Sequence, residues 1–513
     1  MASASSPVDQ RVPLSIWLGF VMMCLGMFMA ILDIQIVATA LPTIQSALGI
    51  APDRMSWIQT AYLIAEIIAI PLTGFFTRLL GMRLLFMSAA AVFTLASVGC
   101  AASGSFEVLI FWRVIQGFAG GALIPAVFSA VFLFFPVNRQ GLATSIAGVI
   151  AVLAPTLGPS IGGWVTEAWS WHWLFLINFL PGIAAVVAVF FLLPRRTVAW
   201  SELRRLDIVS LLLLVVALAA LEIGLKEAPK SGWLSGITLS LLALSVISAV
   251  SFVGRSLRGV HPIVDLKLFG DRNFSIACLL SFLLGIGLFG SVYLMPVFLA
   301  FVREHGALQI GLIMLVTGVT QLLFAPLAVQ FDQRIDARLL SGIGFLLFGL
   351  GLGWSAFQTP ESDFDGMFWP QVLRGAAIMF CLLPPTRLAL GELEKLRVPD
   401  ASGVFNLMRN LGGAIGIALI DTIIFGRAPD HGEALLAQLQ AGDAGAADFV
   451  GVPLDEFQAL SQGSIDVEAI GMLQTAIEKA AMTMAVNEAW ALLSMMTLAA
   501  LLLLPAARKS SQI

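Results

Sequence analysis

Seven ionisable residues stand among neighbours that are almost all apolar: Asp33, Glu66, Arg113, Glu222, Arg374, Arg409 and Asp421. At the centre of a membrane helix each such charge costs about 2.5–3.5 kcal/mol on insertion scales, so the side chain is expected to face a bundle interior or a water-filled cavity. The chemistry open to them differs by type. Guanidinium keeps its proton in proteins, so the three arginines can tie helices together or bias a carboxylate but cannot carry a proton. A carboxylate can carry one: desolvation favours its protonated form, a nearby cation its ionised form, and the balance lets it load and unload near neutral pH. Asp33 has no basic neighbour in its own apolar stretch and is the first candidate for coupling proton entry to export of a competing substrate. Glu66, midway along the next stretch, is the second. Glu222 and Asp421 lie nearer the outer ends of their stretches and are expected at the periphery. For any of these charges a purely structural ion pair is the alternative role.

These side chains need helices in lipid to position them. Of 513 residues 59% are hydrophobic and only 12% charged, with a mean hydropathy of +0.94. Soluble domains carry about 25% charged residues, so this chain cannot cover a water-facing surface. The apolar stretches run to about 20 residues, the length of a spanning helix, without the ten-residue alternation of barrel strands. Fourteen windows qualify: 14–41, 55–77, 83–102, 107–134, 139–164, 173–193, 207–225, 234–254, 273–301, 308–330, 338–357, 369–390, 402–426 and 484–505. With the N-terminus cytoplasmic, that face collects most of the 28 Lys and Arg residues, including Arg195, Arg196, Arg204 and Arg205. The opposite face keeps only Arg54, Lys226, Lys230, Arg303, Arg427 and Lys479. This is the positive-inside asymmetry, and it puts both termini in the cytoplasm. Cys24, Cys100, Cys278 and Cys381 lie in apolar stretches without paired spacing and read as small core residues. No metal-ligand or nucleophile–base constellation stands out, and neither an enzyme, a resident cofactor, a metal site nor a nucleic-acid partner is expected.

The two halves echo each other. Phe111-Trp112-Arg113-Val114-Ile115-Gln116-Gly117 runs on to Pro125, and Gln371-Val372-Leu373-Arg374-Gly375 runs on to Pro384-Pro385. Each puts one arginine near the start of a span, with glycine soon after and proline beyond. Setting aside the pair of spans at 207–254, each arginine falls in the fourth span of a group of six. Two six-helix halves about a midplane site form a common transporter architecture. The expected organisation is a cytoplasmic tail 1–13, a six-helix bundle 14–193, linkers with two inserted helices 194–272, a second bundle 273–505 and a cytoplasmic tail 506–513. The second bundle contains a long outer connection, 427–483, rich in acids such as Asp430, Glu433, Asp455, Glu456 and Asp466. Its apolar spacing suggests two short amphipathic helices near 433–441 and 466–480. That connection is either a solvated cap or a docking element for an external partner.

Glycine and proline add a further signal. Pro155, Gly158, Pro159, Gly162 and Gly163 crowd one stretch, and Gly412, Gly413 and Gly416 follow Arg409 in another. Small residues allow close helix approach, and either close packing or a hinge for alternating access would use them.

The motifs together resemble those of major facilitator drug:proton antiporters, in the fourteen-helix EmrB/QacA-type branch. The segment Leu32-Asp33-Ile34-Gln35 through Leu41-Pro42 is similar to the first-helix motif, and Arg113-Val114-Ile115-Gln116-Gly117 to the fourth. Gly158-Pro159 with Gly162-Gly163 is similar to the fifth-helix antiporter motif. Trp171-His172-Trp173 through Asn178 and Pro181, and the run Ser402 through Asn410, also match the branch. One motif departs. In Gly74-Phe75-Phe76-Thr77-Arg78-Leu79-Leu80-Gly81, Arg78 stands where the family has aspartate, so a cytoplasmic relay built on that aspartate is not expected. The resemblance implies a major facilitator fold and proton-coupled efflux of amphipathic or hydrophobic compounds, with Arg113 close to Asp33 and tuning it. It also implies residence in the inner membrane and, for EmrB-like pumps, a periplasmic adaptor with an outer-membrane channel. Arg374, Asn406, Arg409 and Asp421 are the candidates for the substrate cavity in the second half. A dedicated exporter of one metabolite on the same scaffold, or a non-transporting membrane sensor, are the other readings.

Overall fold

The computed structural model describes residues 12–50, 54, 57–203, 207–259, 262–453 and 467–508. Arg11, Arg204, Arg205, Asp455, Glu456 and Asp466, and parts of both tails, lie outside the described residues, as does the side chain of Pro159. Among the described residues, fourteen helices are long and apolar enough to cross a membrane. The first six are α1 (Leu14–Leu48), α2 (Trp57–Leu80), α3 (Met82–Ala101), α4 (Phe106–Phe134), α5 (Val137–Ala168) and α6 (Phe179–Leu192), the last preceded by the turn His172–Leu176. Two follow between the halves, α7 (Ile208–Ser231) and α8 (Gly236–Arg258). The second six are α9 (Arg272–Phe301), α10 (Ala307–Asp332), α11 (Ala337–Trp354), α12 (Phe364–Leu390), α13 (Val398–Gln440) and α14 (Val467–Leu498).

Helix ends carry ordinary local signals. Ser105 caps α4 by accepting the Val108 N–H, and Asp271 caps α9 by accepting that of Phe274. Asp207 caps α7 and, outside the spans, accepts from Ser210 and pairs with Arg255 on α8; these donors hold its carboxyl down at about 2. Gly81, at φ 76°, takes the left-handed backbone that separates α2 from α3. Helix α5 runs unbroken through Pro155 and Pro159, because neighbouring helices can satisfy the backbone that proline frees.

Packing repeats between the halves. In the first, α1 lies against α4, α5 and α6, and α4 against α2 and α3; in the second, α9 lies against α12, α13 and α14, and α12 against α10 and α11. The halves meet where α5 packs on α10 and α2 on α13, two seams related by the same repeat. Helix α7 packs against α2 and α13, and α8 against α7. The inserted pair therefore borders the α2–α13 seam.

The outer connection differs from the expected pair of separate short helices. Its amphipathic segments are continuations of α13, as far as Gln440, and of α14, from Val467, with a short helix Ala444–Val450 between them. Leu435, Leu439, Ala446, Val450, Ile477 and Ala481 form a small apolar core of their own there. Burial of those faces against one another lets the helices extend beyond the apolar spans instead of stopping at them.

Candidate functional site

Asp33 on α1 and Arg113 on α4 are fully buried and joined: Arg113 Nη1 donates to Asp33 Oδ2 at 2.5 Å. The other carboxylate oxygen accepts from Gln116 Nε2 and from Asn178 Nδ2, each at 2.9 Å. Gln116 lies three residues after Arg113, on the same face of α4, and its Oε1 accepts from Arg113 at 2.8 Å. Its Nε2 also donates to Ser97 Oγ on α3 at 2.8 Å. Arg113 Nε donates to the Ile58 carbonyl at 3.0 Å, and the guanidinium carbon lies 4.4 Å from the centre of the Tyr62 ring on α2. Tyr62 in turn donates to the Ala30 carbonyl of α1 at 3.1 Å.

Four helices and the residue before α6 thus close a polar shell around one carboxylate. An ionised Asp33 is matched by a cation and two amide donors. Protonating it would remove the charge that holds Arg113, so a proton here can change how α1 and α4 attract each other. Such a group can bias a conformational equilibrium without covalent chemistry.

Glu66 is buried on α2, one turn beyond Tyr62, and its backbone carbonyl lies against Gly121 of α4. Glu222 is half-buried on α7, which packs on the α2–α13 seam instead of standing apart. Asp421 on α13 is also half-buried; it accepts from Tyr293 on α9 at 2.6 Å and feels Lys226 and Lys230.

In the second half Asn406 and Arg409 lie on α13 where it meets α4. Arg409 donates to Asn406 Oδ1, and its guanidinium carbon is 5.4 Å from the Phe128 ring centre. Asn406 donates to the Ser402 carbonyl at 2.8 Å, and Ser402 Oγ donates to the Pro125 carbonyl at 3.0 Å. These residues join the two halves.

Arg374 on α12 is buried too, but its surroundings differ. Its guanidinium carbon lies 4.9 Å from the Trp490 ring centre and its Nη2 3.6 Å from Met295 Sδ. Among the described residues it has no carboxylate partner. The match of Arg374 to Arg113 also shifts by one helical turn. A Cβ added at Gly117 would lie 2.2 Å from the Tyr62 carbonyl oxygen on α2, and one at Gly375 2.4 Å from that of Thr317 on α10. These two glycines admit the equivalent partner helix and set the register. In that register Arg113 corresponds to Gln371 and Gln116 to Arg374. The arginine and the glutamine have exchanged places between the halves.

The motif after α2 is rebuilt with its charges reversed. Arg78 is bonded to Asp400 at the start of α13, with Glu202 at 3.9 Å and the Ile263 carbonyl at 3.3 Å. Gly74 lies so close to Asp400 that a Cβ there would overlap its carboxylate. Arg397 and Asp265 pair alongside at 2.7 Å. Gly158 lies against Gln35, bringing α5 onto α1; Gly162 is buried, and its carbonyl accepts from Thr166 at 2.7 Å. Pro155 is buried and Gly163 half-buried on the same helix.

Sequence reasoning missed Gln116 and Asn178 as partners of Asp33, Tyr62 beside Arg113 and Ser97 beside Gln116, and Asp400 as the partner of Arg78. The two amides stood inside recognised motifs, and the i, i+3 spacing of Arg113 and Gln116 was the available signal.

Comparison with known proteins agrees with this architecture. The family description Major Facilitator Superfamily matches residues 23–417. The chain is 40% identical over 408 residues to the colistin resistance protein EmrB of Acinetobacter baumannii, covering 79% of this chain and 80% of that protein. It is 33% identical over 409 residues to the multidrug export protein EmrB of Escherichia coli, again covering 79% and 80%. Among solved structures, the proton:xylose symporter XylE bound to 6-bromo-6-deoxy-D-glucose superposes with a TM-score of 0.58 at 14% identity, covering 96% of this chain and 95% of that one, which shows the shared fold. The chain is thus a multi-pass membrane transporter that belongs to the Major Facilitator Superfamily, among relatives of the EmrB type.

Proposed function

We propose that this transporter expels small amphipathic or hydrophobic compounds across the inner membrane in exchange for protons, by alternating access, with both termini in the cytoplasm. The observation that carries the reading is the buried Asp33–Arg113 pair inside its shell of amides. A sealed carboxylate whose counter-charge in contact, among the described residues, is a single arginine is suited to exchanging a proton as the bundle opens, and the proton gradient would be the sole energy source. Asp33 carries the proton in this scheme, Arg113 tunes it and Glu66 is the reserve carboxylate. The names of the two EmrB relatives, one for colistin resistance and one for multidrug export, support efflux of foreign compounds. The positive-inside asymmetry supports the orientation. In that orientation the Arg78–Asp400 bond lies at the cytoplasmic end and would hold the halves together there, opening in the inward-facing state. The outer extensions of α13 and α14 would then stand in the periplasm, where they could meet an adaptor protein leading to an outer-membrane channel.

The test is transport in proteoliposomes under an imposed pH gradient. Wild-type protein should expel lipophilic dyes when the gradient is present, and Asp33→Asn should lose at least about tenfold of that rate while eluting as a folded monodisperse species. Gradient-driven efflux by Asp33→Asn at the wild-type rate would remove Asp33 from the coupling role. A panel of lipophilic cations and neutral dyes separates a broad pump, which moves many, from a dedicated exporter, which moves one.

A further inference from the structure

Arg374 presents an unusual problem for a buried cation. It is 3% exposed, and its described neighbours are a thioether and an indole ring. Its Nε has no hydrogen-bond partner, and neither does Nε2 of Gln371, one turn earlier on α12 and fully buried. Gln371 Oε1 is held by Thr317 Oγ1 at 3.1 Å, which turns the amide so that its Nε2 is left free to donate. Both side chains line one small cavity between α9, α10 and α12, together with Ser291, Thr317 and Met295. Its volume is about 20 Å³, room for a single water-sized group.

Orphaned buried donors are rare in native proteins, and each calls for a partner. A buried cation without a counter-charge is costlier still. Here the free groups are both donors, a guanidinium N–H and an amide N–H; the Ser291 hydroxyl is spent on the Leu288 carbonyl at 2.9 Å. Such a set suits an acceptor that is negatively charged and makes a poor site for a metal ion or an ammonium group. The first half shows what the equivalent space holds when the protein supplies the anion itself. Gln116, the counterpart of Arg374, donates to the Asp33 carboxylate. Among the described residues the second half has the donors and lacks the acid.

We propose that the α9–α10–α12 cavity is a binding site for a compact monovalent anion, held by Arg374 and Gln371, with a chloride ion as its occupant. The bound anion completes, from solution, the charge pair that Asp33 provides within the chain. The inference is independent of proton coupling and of efflux, since it concerns equilibrium binding.

The experiment uses purified full-length protein in detergent, exchanged into sodium gluconate. Binding of radiolabelled chloride and of radiolabelled decanoate is measured at equilibrium for wild type, Arg374→Gln, Arg374→Lys and Gln371→Leu. Wild type should bind chloride saturably, and decanoate, whose carboxylate and chain exceed the cavity, should not displace it. Arg374→Gln should weaken that binding by about tenfold or more, the scale of a lost charge-assisted hydrogen bond, while Arg374→Lys, which keeps the charge, should retain most of it. Gln371→Leu keeps the cation and should weaken binding several-fold; it carries the test if Arg374→Gln elutes as an aggregate. Chloride binding that decanoate leaves unchanged supports a halide site. Displacement of chloride by decanoate, failure of wild type to bind chloride, or equal affinity in wild type and both the Arg374→Gln and Gln371→Leu proteins, would overturn the proposal. Anion binding with no gradient-driven efflux would leave this site standing and defeat the functional reading alone.

Discussion

The fourth helices of the two halves, α4 and α12, carry the same residue types in opposite order. On α4 the order is Arg113, Gln116, Gly117; on α12 it is Gln371, Arg374, Gly375. Both glycines receive the carbonyl of the equivalent partner helix, so the backbones match while the charge moves by one turn. The consequences diverge. Arg113 reaches a carboxylate, an amide oxygen and a main-chain carbonyl. Arg374 reaches sulfur and an indole ring. A repeated fold thus gives one half a cation paired with a carboxylate, with its Nη2 alone left unbonded, and the other a buried cation with no carboxylate among the described residues. In a transporter that division separates a site able to gain and lose a proton from one with a fixed charge.

The sharpest way to break the comparison is to remove each arginine in turn. Arg113→Met leaves Asp33 buried without its counter-charge, and loss of one member of a buried pair costs about 3–5 kcal/mol. Arg374→Met instead removes a cation that has no described carboxylate, and a long apolar side chain can fill against Met295 and Trp490. In chloride-free buffer that change should lie within about 1 kcal/mol of wild type or stabilise the protein. Unfolding midpoints in detergent would measure both. Equal losses at the two sites would mean that Arg374 has an internal partner after all, and the contrast drawn between the halves would fail.

Much of the first site was legible because charge is costly in lipid. Asp33 and Arg113 stand out for that reason alone, and fourteen spans follow from hydropathy. Amides carry a smaller penalty than charges and are commoner in spans, so Gln116 and Asn178 gave a weaker signal although both bond directly to Asp33. Asp400 was hidden for a different reason: an acid at a helix start is ordinary, and only the fold brings Arg78 to it across more than 300 residues. The place of α7 could not be read because its apolar residues surround the helix and show no preferred face. Counting from arginine to arginine matched the wrong residues of α4 and α12, since register depends on which backbone approaches the glycine, a property of packing. An intermediate effect follows from the corrected register. Arg113→Gln alone should lose most of the pair's stability, whereas Arg113→Gln with Gln116→Arg gives α4 the order found on α12. Position 116 already reaches Asp33 Oδ1, so the double variant should recover about half of the loss or more, a coupling of about 2 kcal/mol. A double variant no more stable than Arg113→Gln would show that the shell accepts its cation from one turn only.

The smallest effects test the register itself. A methyl group at Gly117 would sit 2.2 Å from the Tyr62 carbonyl oxygen, and one at Gly375 2.4 Å from that of Thr317. Backbone oxygen cannot rotate away as a flexible side-chain end could, so the helices must separate slightly. Overpacking of this kind costs about 1–3 kcal/mol, and the two positions should lose similar amounts because they meet equivalent atoms. Their other readouts should differ. Parting α4 from α2 also lifts Tyr62 from the Arg113 guanidinium, so Gly117→Ala should slow gradient-driven transport by more than its stability loss explains. Parting α12 from α10 widens the space beside Thr317 and Gln371, so Gly375→Ala should change anion affinity and leave the Asp33 shell intact. If only one of the two glycines resists alanine, the close approaches are not equivalent, and the arginine and glutamine have not exchanged places.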